Sequence, residues 1–169
     1  MAAPALPPPL GAPYRIGFVC LGNICRSPMA DVVMTSLVAD AGLADRVAVR
    51  SSGTGGWHVG QPMDERAAAR LTRSGYDATR HRAQQHDDTW AGLDLVLAMD
   101  AANLAEIGGE SDRVRLFRSF DPEVDAGPAP DVPDPYYGGD DGFTDVLAMV
   151  ERTCAVLVDG LLGLDPTRM

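Results

Sequence analysis

Apolar residues in this chain alternate between two periods. Tyr14-Arg15-Ile16-Gly17-Phe18 is mostly apolar and β-prone, which predicts a strand. Val33, Leu37 and Ala41 then recur at helical spacing, predicting a helix over Met29–Ala41 that stops at Gly42. Val47-Ala48-Val49 predicts a second short strand, and Met63, Ala67 and Leu71 mark a second helix ending at Gly75. Leu93–Ala98 is nearly all apolar, the signature of a strand covered on both faces. A short helix over Ala101–Ile107 and a weaker strand at Val114–Leu116 follow. Phe143, Leu147, Val150, Cys154, Leu157 and Leu161 form the stripe of a long final helix. Strands alternating with helices imply an α/β fold: a single doubly wound domain over residues 14–165, with parallel strands and helices on both faces. In such folds ligands sit at the carboxyl ends of the strands.

Two stretches lack either period. Ser51–Gly60 reads as a loop from its Ser and Gly content. Asp121–Gly142, about twenty residues rich in Asp, Pro and Gly, is longer than most structureless loops, and loops of that length are usually functional. Residues 1–13 are uncharged Ala, Pro, Leu and Gly. Pro4, Pro7, Pro8 and Pro9 break the unbroken apolar run that a secretory signal needs, so a disordered tail is expected.

Charge narrows the partners. A net charge of −10 over 169 residues argues against nucleic acid or an acidic membrane surface, and no run is long and apolar enough to span a bilayer. Any anion site must be locally positive. Three Cys, odd in number, suggest no disulfide framework, and a cytoplasmic, reducing setting fits better.

The loop after the first predicted strand is locally positive. Between the first strand and the first helix runs Cys20-Leu21-Gly22-Asn23-Ile24-Cys25-Arg26-Ser27-Pro28. Ser27 suits an N-cap and Pro28 the first helical position. A strand, a short loop and a helix N-terminus point successive N–H groups and the positive end of a helix dipole into one cup, which suits a tetrahedral anion. Arg26, five residues beyond Cys20, can hold two phosphate oxygens in its planar fork. The same surroundings favour thiolate over thiol, making Cys20 a nucleophile beneath a bound phosphate. A nucleotide-binding loop fits less well, because that motif needs Gly-Lys-Ser/Thr and the chain has no Lys.

This loop, with Asp134-Pro135-Tyr136-Tyr137 downstream, resembles the low-molecular-weight protein tyrosine phosphatases over about Arg15 to Leu162. The resemblance implies a four-stranded parallel sheet in the order 2-1-3-4 and hydrolysis of phosphotyrosine in proteins through a phosphocysteine on Cys20. Leu21, Gly22, Asn23, Ile24, Cys25, Arg26 and Ser27 would surround the phosphate, with Asn23 holding the cup's shape and Ser27 donating to the thiolate. Trp57 and Tyr136 would flank the cleft, joined by Tyr137, and His81 would support the loop from behind. Ester cleavage also needs a proton for the leaving oxygen. Asp121, Asp125, Asp131, Asp140 and Asp141 share the long loop with Asp134; the adjoining tyrosines and the resemblance single out Asp134, and Asp131 stands next.

Further expectations follow from individual residues. Cys25, in the same small loop, could capture an oxidised Cys20 as a disulfide. Cys154 lies on the final helix's apolar stripe and reads as core; His58 and His86 read as structural or solvent-facing. No metal or cofactor is expected, since Cys20 and Cys25 lack companions at metal-ligand spacing. A monomer is expected, inhibited by phosphate or vanadate. Three rival functions share the anion loop. An arsenate reductase needs relay cysteines, and none lies between Cys25 and Cys154. A phosphoarginine phosphatase would, by resemblance, carry Thr where Ile24 stands. A non-catalytic phosphoprotein-binding module would lack the nucleophile or the acid.

Overall fold

The computed structural model describes residues 4–125 and 127–169. Strands β1 (Tyr14–Cys20), β2 (Val47–Gly53), β3 (Leu95–Ala98) and β4 (Val114–Leu116) form one parallel sheet in the order β2-β1-β3-β4. The central β1 pairs along its whole length with β2, from Tyr14 opposite Val47 to Cys20 opposite Gly53. Helices α1 (Arg26–Asp40), α2 (Glu65–Arg73), α3 (Ala101–Glu106) and α4 (Asp140–Leu162) complete the fold.

The two sheet faces are covered differently, and the alternation along β1 shows how. Ile16, Phe18 and Cys20 join Met29, Val33, Phe143, Leu147, Val150 and Leu157 of α1 and α4 in the main core. Phe18 meets Phe117 edge to face at 5.7 Å. On the other face Val19 and Val96 pack with Trp90, Leu93 and Ile107 in a smaller core. Trp90 sits on a 3₁₀ turn (Asp88–Gly92) with its indole pressed against Gly17, where a Cβ would come within 2.3 Å of the ring. A residue that reads as an ordinary strand glycine is therefore the floor of a tryptophan slot.

Several boundaries differ from the sequence reading. Ser51–Gly53 belong to β2, because parallel pairing with β1 continues to Cys20. α2 starts after Asp64, whose carboxylate accepts from the N–H groups of Arg66 and Ala67; Met63 is buried just before it. α4 begins at Asp140, so the last three residues of the expected loop form a first turn whose acidic pair suits the helix dipole. α1 starts at Arg26, so Ser27 is not its N-cap: Cys25 holds that position without a side-chain bond, and Ser27's hydroxyl is engaged elsewhere. Pro28 instead lies third in the first turn, where its missing N–H has no intrahelical partner to lose.

The expected disordered tail spans residues 1–13. Met1–Ala3 lie outside the described residues. Residues 4–13 have almost no regular structure, yet they are fastened to the strands' N-terminal edge. Tyr14 Oη donates to Pro7 O at 2.8 Å, and Leu10 N donates to the buried carboxylate of Asp94 at 2.7 Å. Leu6 fills the space above Gly160 of α4. Tyr14 and Asp94, both internal to the fold, supply the attachment that tail composition does not reveal. Among the described residues no helix is long and apolar enough to cross a membrane.

Candidate active site

The loop Leu21–Cys25 connects the carboxyl end of β1 to α1, and its backbone is turned by the surroundings. The carbonyls of Cys20 and Leu21 accept from Thr54 N and Gly55 N at 2.9 and 2.8 Å. Those of Ile24 and Cys25 accept from Asp64 N and Met29 N at 2.9 and 3.1 Å, and Asn23 O faces His81 Nε2 at 2.7 Å. With these carbonyls tied outward, the N–H groups of Leu21 through Cys25 find no protein acceptor among the described residues. Unpaired N–H groups gathered at a helix N-terminus make an anion cup.

Asn23 holds the curve. It is fully buried and has φ 58°, the only positive value outside glycine among the described residues. Its Nδ2 donates to Ser27 Oγ and Ser51 Oγ at 2.8 and 3.0 Å, and its Oδ1 accepts from Gln84 N at 2.9 Å. The loop can sit this low because Gly53 lacks a side chain: a Cβ there would lie 2.8 Å from Leu21 O and 2.9 Å from Asn23 N. Cys20 Sγ lies 2.9 Å from Ser27 Oγ at the floor.

Arg26 is almost completely buried, and two partners aim it. Its Nη1 donates to Asp100 Oδ2 at 2.6 Å and to Val132 O at 3.0 Å, while Nη2 lies 3.6 Å from Asp134 Oδ2. Burial opposes its charge, but the neighbouring Cys20 sulfur, Asp100 and Asp134 outweigh it and keep the guanidinium firmly protonated. Asp100 also caps α3 through Asn103 N, so its carboxylate is fixed from both sides. Burial pushes the Cys25 thiol well above the ordinary cysteine range and holds it neutral. His81 is shifted the other way, below the usual histidine value, chiefly by burial and against the pull of Asn23 O.

Above the floor lies a cleft of about 250 Å³ lined by Cys20, Leu21, Gly22, Ile24, Cys25 and Arg26, with Trp57, His58, Asp134, Tyr136 and Tyr137 around its mouth. Trp57 and the two tyrosines are exposed, and Tyr136 meets Tyr137 edge to face at 5.0 Å. Ile24 is half-buried and touches both the core and the cleft. Of the residues assigned to the site from the sequence, Cys20, Leu21, Gly22, Ile24, Cys25, Arg26, Trp57, Asp134, Tyr136 and Tyr137 line this cleft, and Asn23, Ser27 and His81 lie behind its floor. Asp131 does neither: its carboxylate accepts from Ala101 N at 2.9 Å.

Sequence reasoning missed some participants. His58, read as structural or solvent-facing, lines the cleft, with its ring over Gly22 and its Nδ1 beside Gln61 Oε1 at 3.0 Å. Asp100 had a readable signal, since it follows β3 at the carboxyl edge where ligands bind in such sheets. Ser51, Gln84 and Gly53 had none, because their contacts with Asn23 and its loop span tens of residues in the chain. Among the described residues no cluster of three or more His, Cys, Asp or Glu could hold a metal ion. The cleft therefore brings together a cysteine sulfur, a cup of unpaired N–H groups with a planar cation, and a carboxylate across one small volume.

Comparisons with known proteins agree with this geometry. Residues 15–163 match the family model for the low molecular weight phosphotyrosine protein phosphatase. A low molecular weight protein-tyrosine-phosphatase of Streptomyces coelicolor is 51% identical over 152 residues, covering 86% of this chain and 92% of that one. A protein tyrosine phosphatase crystal structure from Entamoeba histolytica superposes with a TM-score of 0.80 at 30% identity, covering 88% and 96% of the two chains. A Drosophila arginine phosphatase structure superposes with a TM-score of 0.77 at 26% identity, covering 89% and 99%.

Proposed function

Since this chain belongs to the low molecular weight phosphotyrosine protein phosphatase family, we propose that it hydrolyses phosphotyrosine in proteins by way of a phosphocysteine on Cys20. The observation that carries this reading is the unpaired N–H array of Leu21–Cys25, curved over the Cys20 sulfur and closed by Arg26. The array and the guanidinium hold the three non-bridging phosphate oxygens and stabilise the charge that gathers on them as the group transfers. Cys20 Sγ attacks phosphorus, the P–O bond to tyrosine breaks, and Asp134 delivers its proton to the departing oxygen. Asp134, now a carboxylate, takes a proton from water, which attacks the phosphocysteine and releases inorganic phosphate and the free thiolate. Ser27 Oγ steadies the thiolate by hydrogen bonding at the start and end of the cycle.

Substrate choice rests on the walls. Trp57, Tyr136, Tyr137 and Ile24 present apolar faces to an aryl ring. Ile24 offers a guanidinium no hydrogen-bond partner, so a phosphoarginine would enter desolvated and unpaired there. Since the same fold occurs in an arginine phosphatase, this wall, and not the architecture, carries the choice. Cys25 is proposed to protect the site: a sulfenic acid on Cys20 and the Cys25 thiol condense to a disulfide and water, which external thiol reverses. Three free thiols suit a reducing compartment, and inorganic phosphate and vanadate would compete for the cup.

The test has two arms. Cys20→Ser should abolish turnover yet still bind vanadate; substantial residual activity would sink the phosphocysteine. Wild type should prefer phosphotyrosine peptides over phosphoarginine peptides in kcat/KM, and Ile24→Thr should shift the ratio towards arginine. Equal rates on both peptides in the wild type would overturn the substrate assignment.

A further inference from the structure

Asp134 stands on a loop whose neighbours are largely exposed, yet it faces Arg26 at 3.6 Å. Something outside the loop must fix it there. Within the loop, Tyr136 N donates to Asp134 Oδ1 at 3.1 Å and Gly138 N to Pro135 O at 3.1 Å, so Asp134–Gly138 forms one small hydrogen-bonded turn. That turn is gripped by Arg66. Its Nη2 donates to Tyr136 O at 2.9 Å and its Nη1 to Gly138 O at 3.2 Å. The same guanidinium lies over the rings of Phe143 and Tyr136, with centroids at 4.7 and 5.6 Å.

The other end of the grip reaches the phosphate cup. Arg66 Nε and Nη2 donate to the two oxygens of Asp64 at 3.2 and 3.1 Å. Asp64 N in turn donates to Ile24 O at 2.9 Å, one of the carbonyls whose outward turn leaves the cup's N–H groups free. A continuous chain of hydrogen bonds therefore runs from the cup, through Asp64 and Arg66, to the turn that carries Asp134. We propose that Arg66 is a positioning residue for the general acid: it sets the height of the Asp134 turn above the cup by reference to the cup itself. Planar geometry is essential, because one side chain must serve two carboxylate oxygens and two carbonyls in different directions, which an ammonium on a flexible stem does not do. The inference rests on the reading of Asp134 as the proton donor.

The experiment separates acid delivery from mere loop stability. A series of substituted phenyl phosphates keeps the ring and varies the leaving-group pKa, so a damaged wall lowers kcat/KM equally across the series, whereas a displaced acid lowers it most for the poorest leaving groups. Asp134→Ala should steepen that dependence. Arg66→Ala should steepen it in the same sense, costing about tenfold on phosphotyrosine and about twofold or less on the most acidic phenol, with the inhibition constant of inorganic phosphate unchanged. Arg66→Lys should recover only part of the loss. In the Asp134→Ala background, Arg66→Ala should add less than about a further twofold, because residues acting as one unit are not additive. A uniform loss across the series in both Arg66→Ala and Arg66→Lys, beside a steepened Asp134→Ala, would overturn the positioning role alone. A flat response in Asp134→Ala would overturn the acid assignment, and the positioning role with it.

Discussion

Asn23 shows how much of the site depends on a single amide. It accepts a left-handed backbone that few residues tolerate, and its side chain joins the loop to α1, to β2 and to Gln84. Asn23→Ala should cost about 2–4 kcal/mol, from groups left unpaired and a strained φ, measurable by urea unfolding. Its affinity for vanadate should fall with it; a variant of wild-type stability and affinity would refute this account. His81 adds a pH signature. Its pKa is depressed on folding, so the unfolded chain binds the proton more readily, and stability is lost as pH falls below about 6.5. His86 is depressed in the same direction, so the comparison must be differential: His81→Gln should show a shallower stability loss between pH 7 and 5 than wild type. At this scale the places of Cys20, Arg26 and Asn23 in the loop after β1 were legible, because they follow from local spacing. Asp100 left only its place just after β3 as a signal, because tertiary folding alone brings its carboxylate to Arg26; Asp64 stands two residues before Arg66, but the turn that Arg66 reaches lies 70 and 72 residues further on.

The loop from Asp121 to Gly139 is pinned at its base as well as over the cup. Asp121 is buried and accepts from Arg152 Nε and Nη2 at 2.8 and 2.9 Å and from Arg118 Nε at 3.0 Å. Burial alone would raise its pKa; the two guanidinium groups and Glu123 N outweigh that and hold it below the usual carboxylate range. Removing one partner of such a cluster leaves charges unpaired, so Asp121→Asn should cost about 3 kcal/mol at neutral pH. A depressed carboxylate stabilises above its unfolded pKa and loses that contribution as pH falls below about 3.8, so wild type and variant should converge in acid. Curves that stay parallel through that range would refute the assignment. Long helices were readable from their stripes. The 3₁₀ turns were not, because segments of three to five residues carry no period to read.

At the scale of the molecule, alternation of strands and helices predicted a parallel sheet, but strand order came only with the family resemblance, because hydrophobic pattern does not say which neighbour a buried strand chooses. The N-terminal segment escaped for a different reason: Pro-rich composition reports low cohesion of the tail with itself and says nothing of the surface it lies on. Because it is fastened at the edge opposite the cup, removing residues 1–10 should lower Tm by several degrees while leaving kcat/KM within about twofold. Those limits correspond to the loss of two hydrogen bonds and the cover over Gly160. An unchanged Tm would show that the attachment contributes nothing.

The two tryptophans divide the molecule optically. Trp90 is 2% exposed, wedged over Gly17 with the Arg50 guanidinium 4.2 Å from its ring; Trp57 is 69% exposed at the mouth of the cleft. An aqueous quencher therefore reaches one indole and not the other. In the native protein the quenchable emission is a gauge of cleft occupancy, and the protected emission, lost only on unfolding, is a gauge of the sheet. With no label attached, one emission spectrum can follow a ligand arriving and the fold dissolving as separate events.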